Sequence, residues 1–456
     1  MFYYILLMFI LLFFSIVAFK LSKGDFFSPL TIFPVMFLFV SLLSIVGRSS
    51  WNRVDLSFNV FLIVVLGVFG FIIGGLFLKL FACRFPLGGS KPGHAEDKTW
   101  RTCESYSIYF IFIAILFIAI YLRISETYRL GKALGFDTDN YMTLAKNVRD
   151  KFALFRSTAN VLPGQGYSML SKQFEKVAIM GGFIGAYFST VGIRKFLRTK
   201  KYFIYIILPF FVFSLSCLFV ILGGSRGWIL YYIMAFVVCN YLFDCRNLNV
   251  YYKITFRYSL ILLPIVIFIA LLFFIAGSFI GRKASGSFTE YISFYFGCGI
   301  PSMQDLISSG QKINSSGYAS FYGIDLFFYK VGLLPKIHSY SLGWVFLNGH
   351  GSNVFTLFFR YYYDFGFWGV FLLSFVQGFA FCLLYLFIRR HSSAPLVLLY
   401  IYVYPYIVDS VREDFFFSRL LSSSTLISIA IGLCAISLMT IDFKPRTVKR
   451  KHEQVK

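Results

Sequence analysis

Residues 202–243 read YFIYIILPFFVFSLSCLFVILGGSRGWILYYIMAFVVCNYLF. Two apolar runs, 202–222 and 228–243, are parted only by Gly223-Gly224-Ser225-Arg226-Gly227. A helix crosses the ~30 Å hydrocarbon core of a bilayer with about 20 apolar residues. Five polar residues suffice for a reversal and no more, so the stretch predicts a membrane-embedded helical hairpin. Glycines allow a tight curl and close backbone approach. Ser225 is placed to cap the second helix, whose positive dipole end then lies beside the Arg226 guanidinium. Such a turn suits a phosphate or diphosphate. It also suits an arginine held at headgroup level with no ligand at all.

Working outward, the rest of the chain repeats the apolar pattern. The 456 residues are 58% hydrophobic and 14% charged, with 60 phenylalanines and 31 tyrosines. Mean hydropathy is +0.74, far outside the range of soluble domains. Eleven segments are predicted to span, roughly 2–21, 27–46, 57–81, 106–122, 174–193, 202–222, 228–243, 258–280, 365–388, 395–408 and 415–440. The fold class expected is an all-α, polytopic integral membrane protein. It comprises one membrane domain over residues 1–443 and a basic tail, 444–456. The first segment lacks a positive leader and a small-residue cleavage site, so it reads as a retained span.

The formal net charge of +23 is mainly a topology signal and not a nucleic-acid footprint. Basic residues gather in alternate short connections, around Arg194–Lys201, Arg246–Arg257, Arg389-Arg390 and the tail, as cytoplasmic loops require. With these inside, residues 47–56, 123–173, 223–227, 281–364 and 409–414 face outward. Two of those outer segments, 123–173 and 281–364, are too long to be plain connections. The aromatic content of the second favours short amphipathic helices on the membrane surface. The eight cysteines imply no disulfide framework, and no Cys/His cluster has zinc spacing. Asp137-Thr138-Asp139 matches the pattern of metal-dependent sugar-nucleotide transferases but falls on the wrong face for nucleotide sugars.

Arginines at membrane-edge positions are costly and seldom idle. Arg226, Arg282, Arg360 and Arg412 all fall at outer ends of spans. Ser410 and Glu413 have capping-box spacing, so the last helix is expected to start there, with Arg412 and Arg419 on one face. Converging guanidiniums would grip a multiply charged anion; alternatively each pairs locally, Arg360 with Asp364 and Arg412 with Asp409. General-base candidates are Asp305, Asp325, Asp364, Glu413, His338 and His350, with Asp364 desolvated at a membrane edge and His350 in a polar loop. Tyr361, Tyr362, Tyr363, Trp344 and Trp368 suit either sugar stacking or an interfacial aromatic belt.

Three stretches carry a family resemblance. They are Leu222-Gly223-Gly224-Ser225-Arg226-Gly227-Trp228; Gly351-Ser352-Asn353-Val354-Phe355-Thr356 leading into Tyr362-Tyr363-Asp364-Phe365-Gly366-Phe367-Trp368-Gly369; and Asp409-Ser410-Val411-Arg412. With the span layout, they resemble the O-antigen polymerases, the Wzy-type oligosaccharide repeat-unit polymerases. The resemblance implies a GT-C-like glycosyltransferase at the periplasmic face of a bacterial inner membrane. Its substrates would be undecaprenyl-diphosphate-linked oligosaccharides, polymerised without nucleotide, metal or other cofactor, with membrane lipids and a chain-length regulator as partners. It implies catalytic roles for Arg226, Arg412, Asp364 and His350, and substrate contacts from Gly224, Ser225, Arg282, Arg360, Asn353 and Tyr363. An O-antigen ligase, or a lipid-linked-oligosaccharide flippase or other transporter, is the alternative. A transporter should carry mid-membrane charges and repeat symmetry.

Overall fold

The computed structural model describes residues 1–50, 55–84, 106–136, 138, 140–157, 166–200, 203–225, 227–247, 287–310, 317–335, 344–391 and 393–440. In order these form α1 (Phe2–Leu21), α2 (Pro29–Val46), α3 (Phe58–Arg84), α4 (Tyr106–Ala133), α5 (Tyr141–Ser157), α6 (Met169–Thr199), α7 (Ile204–Leu222) and α8 (Gly227–Asn247). Then follow α9 (Phe288–Gly297), α10 (Gly299–Ser308), α11 (Tyr322–Lys330), a hairpin of β1 (Val345–Leu347) and β2 (His350–Ser352), α12 (Leu357–His391), α13 (Ala394–Asp409) and α14 (Ser423–Thr440).

Nine of the described helices are long and apolar enough to cross a membrane, and α13 is a shorter apolar helix of 16 residues. The chain is a multi-pass membrane protein whose described residues are almost wholly helical. These ten match ten of the eleven expected segments; the remaining one, 258–280, lies outside the described residues. Three expectations are revised. The fourth span runs on to Ala133. The 281–364 segment carries a two-stranded hairpin as well as short helices, closed by Asn348-Gly349 with φ of 50° and 79°, the pair a tight hairpin turn demands. The last span begins only at Ser423.

That last shift has a physical cause. Ser410 does not cap a helix: its hydroxyl bonds back to Tyr406 O at 2.8 Å, and Glu413 is taken by two arginines. Asp414 does the capping instead, accepting from the N–H groups of Phe416, Phe417 and Ser418 at 3.0–3.1 Å. A short π-helical turn, Phe416–Leu420, follows. The chain between α13 and α14 is therefore a broken, non-helical end, and Arg412 and Arg419 do not share a helical face.

Packing rests on glycine and aromatics. In α3, Gly70 and Gly74 lie one turn apart against α12; a Cβ at Gly74 would sit 2.0 Å from Phe375 O, and one at Gly378 2.1 Å from Phe71 O. Small residues at this spacing let two membrane helices touch backbone to backbone. Phe33 stacks on Phe71 with ring centroids 3.7 Å apart, while Phe2, Phe9 and Phe13 of α1 are exposed, as a lipid-facing surface permits. Within α12 the helix breaks at Gly366 (φ 65°, ψ −154°), conformations that favour glycine. The break separates a short segment, 357–365, from the long apolar run.

Two ends of the bundle are distinguished by their polar contacts. At one, Asp25 is buried between the hydroxyls of Tyr241 and Tyr385, and Lys79 Nζ caps Leu21 O. At the other, hereafter the upper end, Asp55 bridges the N-terminus and Arg48 at 2.5 and 2.7 Å. There Ser44 donates to Gly297 O at 2.7 Å, seating α9 on the upper end of α2. All of α5, α9, α10, α11 and the hairpin gather at this end.

Candidate functional site

The upper end encloses a cavity of about 1420 Å³. Its walls come from α5, the first turns of α6, the 224–231 turn and helix start, α9, the end of α11, the hairpin, and the broken 409–428 end. Six cations and four carboxylates face it: Arg149, Lys172, Lys176, Lys330, Arg412 and Arg419, with Asp150, Glu175, Asp409 and Glu413.

Arg412 is the most constrained. One terminal nitrogen donates to Asp409 Oδ1 and Oδ2 at 3.2 and 3.4 Å, and the other to Tyr295 Oη at 3.3 Å. The guanidinium carbon lies 4.6 Å from the centre of the Tyr295 ring, and its Nε is buried with no partner. Asp409 in turn accepts the Tyr231 hydroxyl at 2.5 Å. Burial works against the charge, but Asp409 and the surrounding acidic groups hold the Arg412 pKa above its usual value.

Behind it, Glu413 accepts from Arg360 and Arg419, both at 2.7 Å. Burial pushes the Glu413 carboxyl up, but the two guanidiniums win and hold it below the usual carboxylate value. Asp414 accepts the Tyr361 hydroxyl at 3.1 Å besides its three backbone donors; burial dominates and pushes it up to about 6.

Across the cavity, the glycine turn is gripped by the chain's own arginines. Gly224 has φ +66°, and a Cβ there would meet Arg149 Nη1 at 2.4 Å; that nitrogen donates to Gly224 O at 3.0 Å. At Gly223 a Cβ would meet Arg123 at 2.7 Å. Ser225 is exposed, and its carbonyl accepts from Trp228 N at 3.3 Å. Arg123 lies over the Tyr167 ring at 4.3 Å and faces Glu175 at 3.8 Å.

The structure thus brings Gly224, Ser225, Asn353 and Arg412 to one cavity. Arg226 and Arg282 lie outside the described residues, as do His338, Asp137 and Asp139. Glu413 and Arg419 line the cavity too, whereas several other sequence candidates stand elsewhere. Asp364 is fully buried and holds the 317–321 turn, accepting from Ala319 N and Ser320 N at 3.3 and 2.6 Å; it neither faces the cavity nor pairs with Arg360. Arg360 reaches Ala319 O at 2.9 Å and Glu413 instead, so it supports the cavity from behind. His350 is exposed, its ring against Phe294 at 5.4 Å, and lies beside the cavity wall rather than in it. Tyr363 is half-buried against Phe359. Trp368 is 78% exposed on α12, as an interfacial belt requires, whereas Trp344 lines the cavity.

Sequence reading passed over Lys172, Glu175, Lys176 and Lys330, and over Tyr231 and Tyr295. The signal was present for two of them: Lys172 and Lys176 sit four apart at the start of α6, and so share a face.

No protein-family model, no curated protein and no solved structure matches the chain. What the geometry defines is a multi-pass helical membrane protein with a charged, aromatic-lined cavity at one end of its bundle.

Proposed function

We propose that this protein polymerises polyprenyl-diphosphate-linked oligosaccharide repeat units at the periplasmic face of a bacterial inner membrane, as a GT-C-like, nucleotide-independent glycosyltransferase. The observation that carries the reading is the cavity itself. Its arginines, carboxylates and aromatic rings sit at the bundle end that the positive-inside pattern assigns outward.

The chemistry asked of such a site is modest. The bond from the anomeric carbon to the donor's diphosphate breaks, an acceptor hydroxyl oxygen bonds to that carbon, and the hydroxyl proton leaves to a carboxylate. Charge builds on the departing diphosphate, so preorganised guanidiniums beside it lower the barrier. Arg412, fixed by Asp409 and Tyr295, and Arg419, fixed by Glu413, are held in that way. A positioned base contributes about 10²–10⁴-fold. Glu175 fits that role better than Asp364 or His350: it faces the cavity, and its ion pair with Arg123 is loose at 3.8 Å. Trp228, Trp344 and Tyr295 offer faces for sugar rings.

Beneath the cavity the interior is filled by buried Phe183, Tyr187, Tyr400 and Tyr404. Packing of this kind favours an enzyme over a carrier, which needs a mid-membrane polar site.

The test is a lipopolysaccharide gel from a deletion strain complemented with wild type or Arg412→Ala at matched protein levels. A ladder with wild type that collapses to core plus one repeat with the variant supports the polymerase. Core with no repeat attached in the deletion strain overturns it in favour of a ligase or flippase.

A further inference from the structure

The charges in the cavity are unevenly compensated. On the Arg412 side each guanidinium already has a carboxylate: Arg412 has Asp409, and Arg419 shares Glu413 with Arg360. Three ammonium groups face the same space. Lys172 and Lys176 come from the first turns of α6, and Lys330 from the last turn of α11. Lys330 is near enough to repel Lys176. Lys176 donates to Gln173 Oε1 at 3.0 Å, a neutral partner, and Glu175 compensates its charge only in part. Of the local carboxylates, Asp150 is committed to Arg149 at 3.2 Å, and Glu175, 3.8 Å from Arg123, is shared between that arginine and Lys176.

The fold works to bring these like charges together. α11 is drawn down onto the broken end because Gly323 leaves room for Ser418 O, which a Cβ would meet at 2.3 Å. Like charges gathered at a cavity wall cost free energy that a bound anion returns. The surrounding surface is apolar: Met169, Phe327 and Val331 line the same wall and are 72%, 41% and 57% exposed. Three cations beside exposed apolar side chains at a membrane edge match an amphiphile with an anionic head.

We propose that Lys172, Lys176 and Lys330 form a second anion site, which holds the diphosphate of a second prenyl-linked substrate while the Arg412 side holds the first. The assignment of substrates rests on the polymerase reading, in which donor and acceptor are both lipid diphosphates. The residue types divide the work. Arginine's planar fork fixes the orientation of a group on which charge develops, whereas lysine is a mobile point charge. The lysine side therefore suits the acceptor's diphosphate, which keeps its bonds throughout and needs only to be retained.

The experiment uses the full chain in phosphatidylcholine nanodiscs, titrated calorimetrically with geranyl diphosphate against empty-disc blanks, with inorganic diphosphate in a parallel arm. Wild type is expected to bind two equivalents of geranyl diphosphate. The Lys172→Gln/Lys176→Gln/Lys330→Gln variant should bind one, and adding Arg412→Gln to it should leave none; retained binding at the arginine side shows that the triple variant is folded. Lys→Arg replacements at the three positions should restore the second equivalent. A single equivalent in wild type, or two in the triple variant, overturns the proposal. Loss of one equivalent in wild type when phosphatidylglycerol replaces phosphatidylcholine also overturns it, because the lysines would then be binding ordinary headgroups. Inorganic diphosphate should bind both sites more weakly; equal affinity would remove the prenyl substrate from the argument. Stoichiometry is read without turnover, so two sites in a protein that fails the gel test would sink the polymerase and leave the anion sites standing.

Discussion

Arg412→Lys is the sharpest perturbation of the cavity, because it keeps the charge and removes the geometry. Three features go: the second nitrogen that reaches Tyr295 Oη, the planar face 4.6 Å above the Tyr295 ring, and the buried Nε. A lysine retains one contact to Asp409, so the carboxylate stays compensated. Losing one charge-assisted hydrogen bond costs about 1.5–3 kcal/mol. If that donor acts in the transition state, elongation slows roughly 10- to 150-fold at about 1.4 kcal/mol per decade. Arg412→Ala loses more, but leaves Asp409 buried with only the Tyr231 hydroxyl, and stripping one partner from a buried pair costs about 3–5 kcal/mol in stability. Its activity is thus readable only at matched protein levels, and lysine is the more informative variant. The assay is the initial rate of elongation of a synthetic prenyl-diphosphate-linked repeat by protein in nanodiscs, normalised to monodisperse protein by size exclusion. A lysine variant that keeps more than a third of the wild-type rate would show that Arg412 acts only as a charge, and the reasoning from its fork would fail.

Three further outcomes follow from the fold. Gly224→Ala must adopt φ +66° at about 1–2 kcal/mol and displace Arg149, so the thermal midpoint should fall by several degrees; Gly227→Ala, with open space around it, should leave that midpoint unchanged. Gly74→Leu should prise α3 from α12, seen as loss of the monodisperse peak, while Leu76→Ala on the same helix should keep it. Asp414, with its pKa raised to about 6, binds its proton more tightly folded than unfolded. Its contribution is full below about pH 4 and is lost as pH rises through about 6. The thermal midpoint should decline across that window in wild type and stay flat in Asp414→Asn; a parallel decline in the variant would assign the slope to another group.

The spans among the described residues were legible because they depend on composition alone: the length of an apolar run survives any detail of packing. Arg412 was legible for a local reason, its carboxylate being three residues away. Asp364 is desolvated as its position suggested, but its partners were not legible, because they are the N–H groups of a turn forty-five residues earlier and not Arg360. The capping box at Ser410 failed in the same way, since Glu413 answers to Arg360, fifty-three residues distant. The lysine wall was legible only in part: Lys172 and Lys176 share a face by spacing, whereas Lys330 comes near Lys176 only through the seating of α11 on the π-helical turn.

The brevity of α13 bears on the depth of the proposed reaction. Sixteen residues rise about 24 Å, some 6 Å less than a ~30 Å hydrocarbon layer, so α13 carries the broken end and Arg412 less far along the bundle than a full span would. On the proposed reaction, the departing diphosphate is drawn down toward the acyl chains while the sugar stays above it. Bulk water then reaches the anomeric carbon only through the cavity that the acceptor glycan itself fills. The competing reaction of an activated glycosyl donor, hydrolysis, is suppressed by depth, and no lid has to close over the site.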